Sequence, residues 1–298
     1  MKSGFIGLIG RPNVGKSSLV NAVIGHKVAI TSDKPQTTRN VIQGIRTDED
    51  SQMVFVDTPG IHKPKNKLGR ILNKEAYYSL EDVDVILFLV DITESLGKGD
   101  KFVIDVLKKV SVPVILVINK IDKLPRQEIL KKIDEFKDLY NFDEIVPISA
   151  YKKDNIDRLI NVIKSKLTDN IKYYDDDMYT DKPVNFIVSE LIREKILDLT
   201  FEEVPHSVGV VVDTMEYNKN AVNIQATIIV DRENLKRILV GKNGTMIKEI
   251  GIQARKDIEE LLGKNVYLEL FVKVITKWRD REKFLNETMY KEFDFTEK

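Results

Sequence analysis

The sequence contains no cysteine, a single tryptophan and only three histidines, and it has no long hydrophobic run. The absence of cysteine excludes disulfide frameworks and thiolate zinc sites, and it fits a reducing cytoplasm. The longest apolar run, Val85 to Val90, is far below the roughly 20 residues that a membrane-spanning helix needs. The N-terminal apolar run is too short for a signal peptide. We therefore expect a soluble protein without a transmembrane segment. The three histidines, His26, His62 and His206, are scattered along the chain, and we expect no catalytic role for them.

Charge of either sign is not in excess, because 47 Lys and Arg residues oppose 47 Asp and Glu residues. A net charge of zero does not indicate a polyanion partner for the whole surface, so any nucleic-acid site must be a local patch. The length of 298 residues suits two domains of ordinary size. A hydrophobic content of 42% is enough to form their cores.

The first part of the chain alternates short apolar runs with helical patterns. The runs predict strands at Phe5–Ile9, Met53–Val56, Val83–Val90 and Val112–Ile118. The helical spacing predicts helices at Leu19–Ile24, Asp100–Val110, Gln127–Tyr140 and Ile156–Leu167. This alternation is typical of an α/β domain with a mainly parallel sheet and helices on both faces. The segment Val41–Ile45 can pair with Met53–Val56 as an antiparallel edge.

The segment from Asp169 to Asp181 has five aspartates against one lysine and no apolar period. We interpret residues 171–182 as an acidic linker between a domain at residues 1–170 and a second domain at 183–298. Three tyrosines, Tyr173, Tyr174 and Tyr179, could anchor this linker to a neighbouring surface.

The second domain is predicted to be a smaller α+β domain. Its elements follow the order αββααβ, with a further helix starting at Trp278. The predicted segments are Asn185–Leu199, Ser207–Asp213, Ala221–Val230, Asn234–Val240, Thr245–Leu262 and Val266–Val274.

A phosphate-binding pattern, G-x-x-x-x-G-K-[ST], spans Gly10 to Ser17 between a predicted strand and a predicted helix. Glycines let backbone N–H groups wrap closely around phosphates, and the helix N-terminus adds its positive dipole end. Lys16 is expected to reach the β- and γ-phosphates, and the Ser17 hydroxyl to ligate Mg²⁺. The alternative is a glycine turn before a helix. The predicted nucleotide-binding residues here are Gly10, Asn13, Val14, Gly15, Lys16, Ser17 and Ser18.

A second pattern, D-x-x-G, runs from Asp57 to Gly60 at the end of the next hydrophobic strand. An aspartate at the carboxyl end of a strand in such a sheet lies beside the phosphates. We expect Asp57 to hold Mg²⁺ through water and the Gly60 N–H to meet the γ-phosphate. The pattern alone occurs about once per chain by chance, so its weight comes from its position.

Two further patterns predict recognition of guanine. Asn119, Lys120 and Asp122 form N-K-x-D after the strand Val112–Ile118. The Asp122 carboxylate can accept from both N1–H and the 2-amino group of guanine, a pair of donors that adenine lacks, and the Lys120 stem can cover the ring. In a later pattern, Ser149-Ala150-Tyr151, the Ala150 N–H can donate to guanine O6. The alternative for each pattern is a polar turn after a strand.

The order of these four motifs resembles the translation-factor-related GTPases. Within that group, the first motif, then Gln36-Thr37-Thr38-Arg39, then Asp57-Thr58-Pro59-Gly60, resembles the Era-type GTPases over nearly the whole chain. The resemblance implies that Thr38 is a switch threonine that binds Mg²⁺ and acts in catalysis with Lys16 and Gly60. It also implies two switch regions, His26 to Asn40 and Ile61 to Asn73.

The resemblance has further implications for ligands and partners. It implies GTP and GDP with Mg²⁺ as cofactors, the 3′ end of 16S-type rRNA as ligand, and a role in assembly of the small ribosomal subunit. It implies a cytoplasmic protein with peripheral association to the inner membrane face, although the sequence shows no anchoring helix or lipidation signal. We expect a monomer.

Small GTPases place a water-orienting glutamine directly after the D-x-x-G glycine. This chain has Ile61 there, so GTP hydrolysis is expected to be slow unless another group helps. The family resemblance implies that potassium acts near the phosphates, held partly by Asn13. Alternatively, Asn13 caps the loop.

In the second domain, Gly241-Lys242-Asn243-Gly244 joins two predicted helices. G-x-x-G recurs by chance, but helix–GxxG–helix within the order αββααβ is the K-homology arrangement of the second topology, whose loop clamps about four nucleotides. Between Arg232 and Lys256, seven basic residues oppose two acidic ones, a net charge of +5, whereas residues 183–298 carry 18 basic and 20 acidic residues, or −2. We predict RNA binding by the four loop residues with Lys236 and Lys248. The alternative is a solvated helix face.

Several apolar residues near this loop have two interpretations. Ile238, Ile247 and Ile250 could support bases or belong to the core. Lys277-Trp278-Arg279 could extend the RNA path, whereas a lone tryptophan there is more often a packing anchor.

Two other classes of protein remain open from the sequence. One is an RNA-modifying enzyme driven by a GTPase domain, which would need a catalytic cysteine or a cofactor site, and cysteine is absent. The other is a membrane-associated signalling GTPase whose second domain binds protein.

Overall fold

The structure is a computed structural model of the chain, and it describes residues 1–34, 37–59, 82–281 and 284–285. The contacts divide the described chain into two compact units, with the boundary between Lys182 and Pro183.

The first unit is a sheet of six strands, in the order β2-β3-β1-β4-β5-β6, with helices on both faces. Every neighbouring pair is parallel except β2 and β3, which are antiparallel, as the sequence predicts. In chain order the elements are β1 (Lys2–Gly10), α1 (Lys16–Ile24), β2 (Ile42–Asp48), β3 (Ser51–Asp57), β4 (Val85–Asp91), α2 (Lys98–Leu107), β5 (Val114–Asn119), α3 (Arg126–Lys137), β6 (Glu144–Pro147) and α4 (Ile156–Lys166).

The central strands are apolar along their whole length because both faces of the sheet are covered. All seven residues of β4 are buried, as are all six of β5. In β1, Leu8 contributes to a core shared with α1 and α4, whereas its neighbour Ile9 contributes to the opposite core with α2 and α3. Parallel strands buried on both faces have this continuous apolar character rather than an alternating one.

Residues 171–182, which the sequence predicts to be an acidic linker, belong by their contacts to the first unit. The fully buried Gln52 on β3 accepts hydrogen bonds from the backbone N–H groups of Tyr173 and Tyr174, at 2.8 and 2.9 Å, and donates to the Tyr174 carbonyl at 2.9 Å. Further along, the Ile45 N–H donates to the Tyr179 carbonyl at 2.9 Å. Polar and backbone groups hold this segment to the sheet edge, so it needs no apolar period.

The second unit has a sheet of three strands, in the order β7-β8-β9, with β7 and β8 antiparallel and β8 and β9 parallel. The predicted order of elements is confirmed, with one additional short helix before β7. The elements are α5 (Val184–Leu199), α6 (Val204–Ser207), β7 (Val208–Tyr217), β8 (Ala221–Val230), α7 (Glu233–Val240), α8 (Thr245–Leu262) and β9 (Asn265–Val274).

Trp278 starts a short 3₁₀ turn, Trp278–Asp280, and its side chain is fully buried. Its indole N–H donates to the Ser207 carbonyl at 3.1 Å, so both the apolar ring and the polar edge are satisfied inside the unit. The neighbouring Arg279 pairs with Asp231 and donates to the His206 carbonyl. Of the two interpretations of this tryptophan, the structure therefore supports the packing anchor.

No helix in the described ranges is both long and apolar enough to cross a membrane.

Candidate functional site

The nucleotide motifs of the first unit meet at one edge of the sheet, because three parallel strands end there. β1 ends at Gly10, β3 at Asp57 and β5 at Asn119. The carboxyl ends of parallel strands are the usual ligand-binding edge of such sheets. A cavity of about 530 Å³ opens there, a size typical of small-molecule sites. Its lining includes Asn13, Gly15, Lys16, Ser17, Ser18, Thr38, Lys120 and Tyr151.

The two glycines of the phosphate-binding pattern are required by close contacts. Gly15 has φ of +99°, and a Cβ there would lie 2.2 Å from Nδ2 of Asn119. A Cβ on Gly10 would lie 2.5 Å from the Leu89 carbonyl oxygen. A side chain at either position would collide with these neighbours. Glycine therefore lets the loop backbone turn tightly into α1, as close contact of backbone N–H groups with phosphate requires.

Lys16 is held inside this loop. It is 6% exposed, and its Nζ donates to the carbonyls of Gly10 and Arg11 at 3.3 and 3.2 Å. Burial lowers the pKa of this lysine, and the nearby Asp57 carboxylate opposes the shift. A bound phosphate would add negative charge beside the ammonium and favour its charged form.

Three oxygen-bearing side chains converge beside Lys16. The Ser17 hydroxyl donates to Asp57 Oδ2 at 2.7 Å and lies 2.9 Å from the Thr38 hydroxyl. Burial raises the pKa of Asp57, and Lys16 and the hydroxyls of Ser17 and Thr38 partly offset this shift. The other carboxylate oxygen, Oδ1, is buried without a hydrogen-bond partner. Hydroxyl and carboxylate oxygens around an unsatisfied buried oxygen fit Mg²⁺, which prefers such ligands.

Asn119 joins two of the predicted loops. Its Nδ2 donates to the Val14 carbonyl at 2.9 Å, and its Oδ1 accepts from the Ala150 N–H at 3.0 Å. Both polar ends of the buried amide are therefore engaged by protein. This geometry supports a role for Asn119 in holding the phosphate-binding loop at Val14 to the predicted base-binding loop at Ala150, rather than direct contact with the base.

The predicted base-binding residues surround Asp122. Its Oδ1 accepts from the Ser149 hydroxyl at 2.6 Å, and that hydroxyl accepts from the Lys152 N–H at 3.1 Å. Lys120 has φ of +66° and donates to the Asn13 carbonyl at 2.9 Å, so its stem crosses from the base loop to the phosphate loop. Tyr151 is 79% exposed and lines the same cavity.

The other predicted residues of this site have different outcomes. Asn13 has φ of +66°, and its Nδ2 donates to the Asp33 carbonyl at 2.6 Å, which ties the phosphate loop to the chain before Thr38. Gly60, Gln36 and the second predicted switch, Ile61 to Asn73, lie outside the described residues.

In the second unit, the GxxG loop lies between α7 and α8. Gly241 has φ of +73°, and a Cβ there would lie 2.8 Å from the backbone N of Met246. Asn243 and Gly244 also have positive φ, at +54° and +78°. Lys242 and Asn243 are exposed, and the Lys242 carbonyl accepts from the Thr245 hydroxyl at 3.0 Å. The loop is therefore a fixed turn with exposed side chains.

A groove of about 330 Å³ beside this loop lies between α8 and β9. Ile247 and Lys248 are predicted from the sequence as residues near the loop, but the groove is not. The sequence does indicate one side of this groove, because residues four positions apart on a helix such as α8 lie on the same face. Its lining is Ile247, Lys248, Gly251, Ile252, Arg255, Tyr267, Leu268 and Leu270.

The remaining predicted residues near the loop divide by exposure. Ile250 is fully buried and belongs to the core, whereas Ile238 is 51% exposed. Lys236 is half-buried on α7, and Lys248 is exposed at the groove.

Comparison with known proteins gives matches for both units. Residues 5–120 match the family model described as 50S ribosome-binding GTPase, and residues 203–279 match that of the KH domain. Among solved structures, Era in complex with MgGDPNP and nucleotides 1506–1542 of 16S ribosomal RNA is 43% identical, with a TM-score of 0.93 over 97% of this chain and 99% of that one. A variant of Era from Aquifex aeolicus bound to GDP·AlF4⁻ matches with the same identity, coverage and TM-score.

Proposed function

We propose that this chain, which belongs to the Era family of GTPases, couples GTP hydrolysis in its first unit to binding of the 3′ end of small-subunit rRNA by its second unit. The observation that carries the proposal is the meeting of Lys16, Ser17, Thr38 and Asp57 at one sheet edge, in a chain 43% identical to an Era–RNA complex. Reciprocal linkage then requires that RNA affinity depends on the bound nucleotide.

The residues beside Asp57 are suited to hold Mg²⁺ with the nucleotide. Ser17 and Thr38 supply hydroxyl oxygens, and Asp57 supplies a buried carboxylate. When bound, the ion neutralises charge that develops on the β- and γ-phosphates. Lys16 contributes a second positive charge in a site where burial strengthens electrostatic interactions. The Gly60 N–H would add a hydrogen bond to the γ-phosphate, and water would attack in line.

The base would lie between Lys120 and Tyr151, with Asp122 at its edge. The Ser149 hydroxyl fixes one oxygen of the Asp122 carboxylate, which sets the direction in which the carboxylate faces. Two donors of guanine can then be accepted side by side. The Ala150 N–H has Asn119 Oδ1 as a partner, so in this role it would share its hydrogen between the amide and guanine O6.

The second unit is suited to single-stranded RNA. The GxxG loop offers a tight turn without bulky side chains at either end, so a phosphate backbone can approach closely. The adjacent groove has an apolar floor that includes Ile247 and Leu270, and basic residues Lys248 and Arg255 along it. Tyr267 provides an aromatic ring for stacking, which binds bases of any identity.

The cellular role follows from the family and is part of the proposal. The chain acts as a cytoplasmic monomer in assembly of the small ribosomal subunit, with peripheral contact to the inner membrane face. Crosslinking to RNA in cells, followed by sequencing, is expected to recover the 3′ end of the small-subunit rRNA, with peptide adducts between Gly241 and Leu270. Recovery of protein partners without RNA would favour the signalling GTPase instead, and nuclease-resistant association with ribosomal subunits would contradict RNA-mediated binding.

The hydrolysis rate of the isolated protein is expected to be roughly 10⁻³ s⁻¹ or below, because Ile61 cannot orient water by hydrogen bonding. We propose that potassium, held partly by the Asn13 side chain, lowers the barrier. Single-turnover hydrolysis should therefore be faster in potassium than in sodium at equal ionic strength, and Asn13→Ala should abolish that difference.

The same variant also removes the hydrogen bond from Asn13 to the Asp33 carbonyl. If Asn13 only tethers the loop, hydrolysis by Asn13→Ala slows by the same factor in both salts and the potassium preference survives. Equal rates of the parent protein in the two salts would refute the potassium proposal and leave the GTPase assignment intact.

A further inference from the structure

The chain between β4 and α2 supports the phosphate-binding loop from outside the cavity. Asp91 ends β4, and Asp100 lies in the first turn of α2. Both carboxylates are buried, at 8% and 3% exposure. Neither belongs to a nucleotide motif, and neither lines the cavity.

Asp100 pairs with Arg11, the second residue of the phosphate-binding pattern. Arg11 Nη1 donates to Asp100 Oδ2 at 3.1 Å, and the same oxygen accepts from the Gly97 N–H at 2.8 Å. Glycines at 97 and 99 leave room for the arginine, since a Cβ at either position would lie 3.3 or 3.0 Å from its side chain. The Arg11 side chain is therefore held against a fixed acceptor, in a space that larger residues at positions 97 and 99 would narrow.

Asp91 reaches the same loop through Lys120. Its Oδ2 lies 2.5 Å from Lys120 Nζ, which also donates to the Asn13 carbonyl at 2.9 Å. The other oxygen of Asp91 accepts from the N–H and the hydroxyl of Thr93, at 2.9 and 2.7 Å. Residues of the chain between β4 and α2 thus orient both aspartates. Through Arg11 and Lys120, the aspartates restrain the phosphate-binding loop at residues 11 and 13.

We propose that Asp100, acting through Arg11, and Asp91, acting through Lys120, are positioning residues that hold the phosphate-binding loop in its binding conformation and so set the lifetime of bound GDP and GTP. The inference rests on the proposed nucleotide site. A loop bounded by two flexible glycines loses backbone entropy when it orders around phosphates. Restraint before binding reduces that loss and slows dissociation.

The pair Arg11 and Asp100 gives the sharper test, because Lys120 is itself assigned to the nucleotide site. Arg11→Gln and Asp100→Ala should each speed GDP dissociation about tenfold, the effect expected for loss of one charge-assisted hydrogen bond. The double variant should dissociate no faster than the faster single variant, since both changes break the same pair between Arg11 and Asp100. Arg11→Gln also removes the longer contact of Arg11 with Glu94, at 3.8 Å. The KM for GTP should rise by a similar factor while kcat changes less than about threefold.

Asp105→Ala is the matched control, because Asp105 lies on the same helix and pairs only with Lys108 among the described residues, both being exposed. Its GDP dissociation should equal that of the parent protein. Asp100→Ala can also weaken α2 by removing the hydrogen bond to Gly97, so melting temperatures are measured for every variant. Arg11→Gln leaves that bond in place.

Unchanged GDP dissociation in Arg11→Gln would refute the inference, as would strictly additive effects in the double variant. A parent protein that does not bind GDP would instead refute the proposed nucleotide site, so the two failures are distinguishable.

Discussion

The variant Asp122→Asn is expected to lose GTP binding and to gain binding of xanthosine triphosphate. Guanine presents two donors at N1 and the 2-amino group, whereas xanthine has an acceptor in place of the amino group. An asparagine offers one acceptor and one donor, and so matches xanthine. Loss of the charge-assisted pair should weaken GTP binding by about 2–3 kcal/mol, or roughly 30- to 150-fold.

Apart from the loss of the charge, replacement of Asp122 by asparagine should preserve the local contacts and the stability. The Ser149 hydroxyl donates to Asp122 Oδ1 at 2.6 Å, and an asparagine oxygen can accept the same bond. Asp122 is exposed, so the change should leave the free energy of unfolding nearly unaltered.

Competition of GTP, xanthosine triphosphate and ATP against a fluorescent guanine nucleotide measures the exchange. Asp134→Asn, the same change at an exposed residue of α3 paired with Lys137, should retain the parent's preference for GTP. Undiminished preference for GTP in Asp122→Asn would exclude Asp122 from base recognition.

The sheet and the nucleotide motifs could be predicted from the sequence for one physical reason. Strands buried on both faces must be continuously apolar, as β4 and β5 are, and a parallel sheet brings polar residues at their ends to one edge. The apolar runs therefore predicted the sheet, and the points at which they end predicted where Asp57 and Asn119 lie in it. The boundaries were less accurate: α2 begins at Lys98 rather than at Asp100, whose carboxylate accepts from the Gly97 N–H.

Contacts made by polar groups over long sequence separations could not be predicted in this way. The amide of Gln52 binds the chain at Tyr173 and Tyr174, more than 100 residues away, and no periodicity indicates it. The dual bonds of Asn119 and the pairing of Arg11 with Asp100 are of the same kind. Each requires knowledge of which loops the sheet brings together.

The groove between α8 and β9 could not be predicted because its lining comes from two elements. Lys248, Gly251 and Arg255 lie on α8, whereas Tyr267 and Leu270 lie on β9. The predicted loop and its charge were local features of the sequence. The groove depends on how the helix packs against the strand. The two approach closely at Gly251, where an added Cβ would lie 3.6 Å from the Leu270 side chain.

The double variant Lys242→Asp with Asn243→Asp is expected to abolish binding of single-stranded RNA. It replaces one positive charge with two negative ones beside the phosphate backbone, a change of −3. Contacts with phosphates dominate such affinity and release counterions, so binding should fall steeply and its dependence on salt should flatten. GTP affinity should be unchanged, because the nucleotide motifs belong to the other unit.

The fold should tolerate this variant. Both side chains are exposed, both glycines are kept, and aspartate accepts the positive φ of +54° at position 243. The new carboxylates lie between the C-terminus of α7, where negative charge is unfavourable, and the N-terminus of α8, where it is favourable, so the two effects oppose each other. The melting temperature should therefore stay close to that of the parent.

The turn between β7 and β8 provides a matched control, because it also contains an exposed lysine followed by an exposed asparagine. Lys219→Asp with Asn220→Asp makes the same change in charge. This turn lies where β8 and β9 begin, beside Asn265, which follows the C-terminus of α8, whereas the GxxG loop precedes the N-terminus of that helix. RNA affinity, measured at several salt concentrations, should fall only in the loop variant. If both variants lose RNA equally, net charge rather than the loop determines affinity; if neither does, the GxxG segment is only a structural turn between two helices.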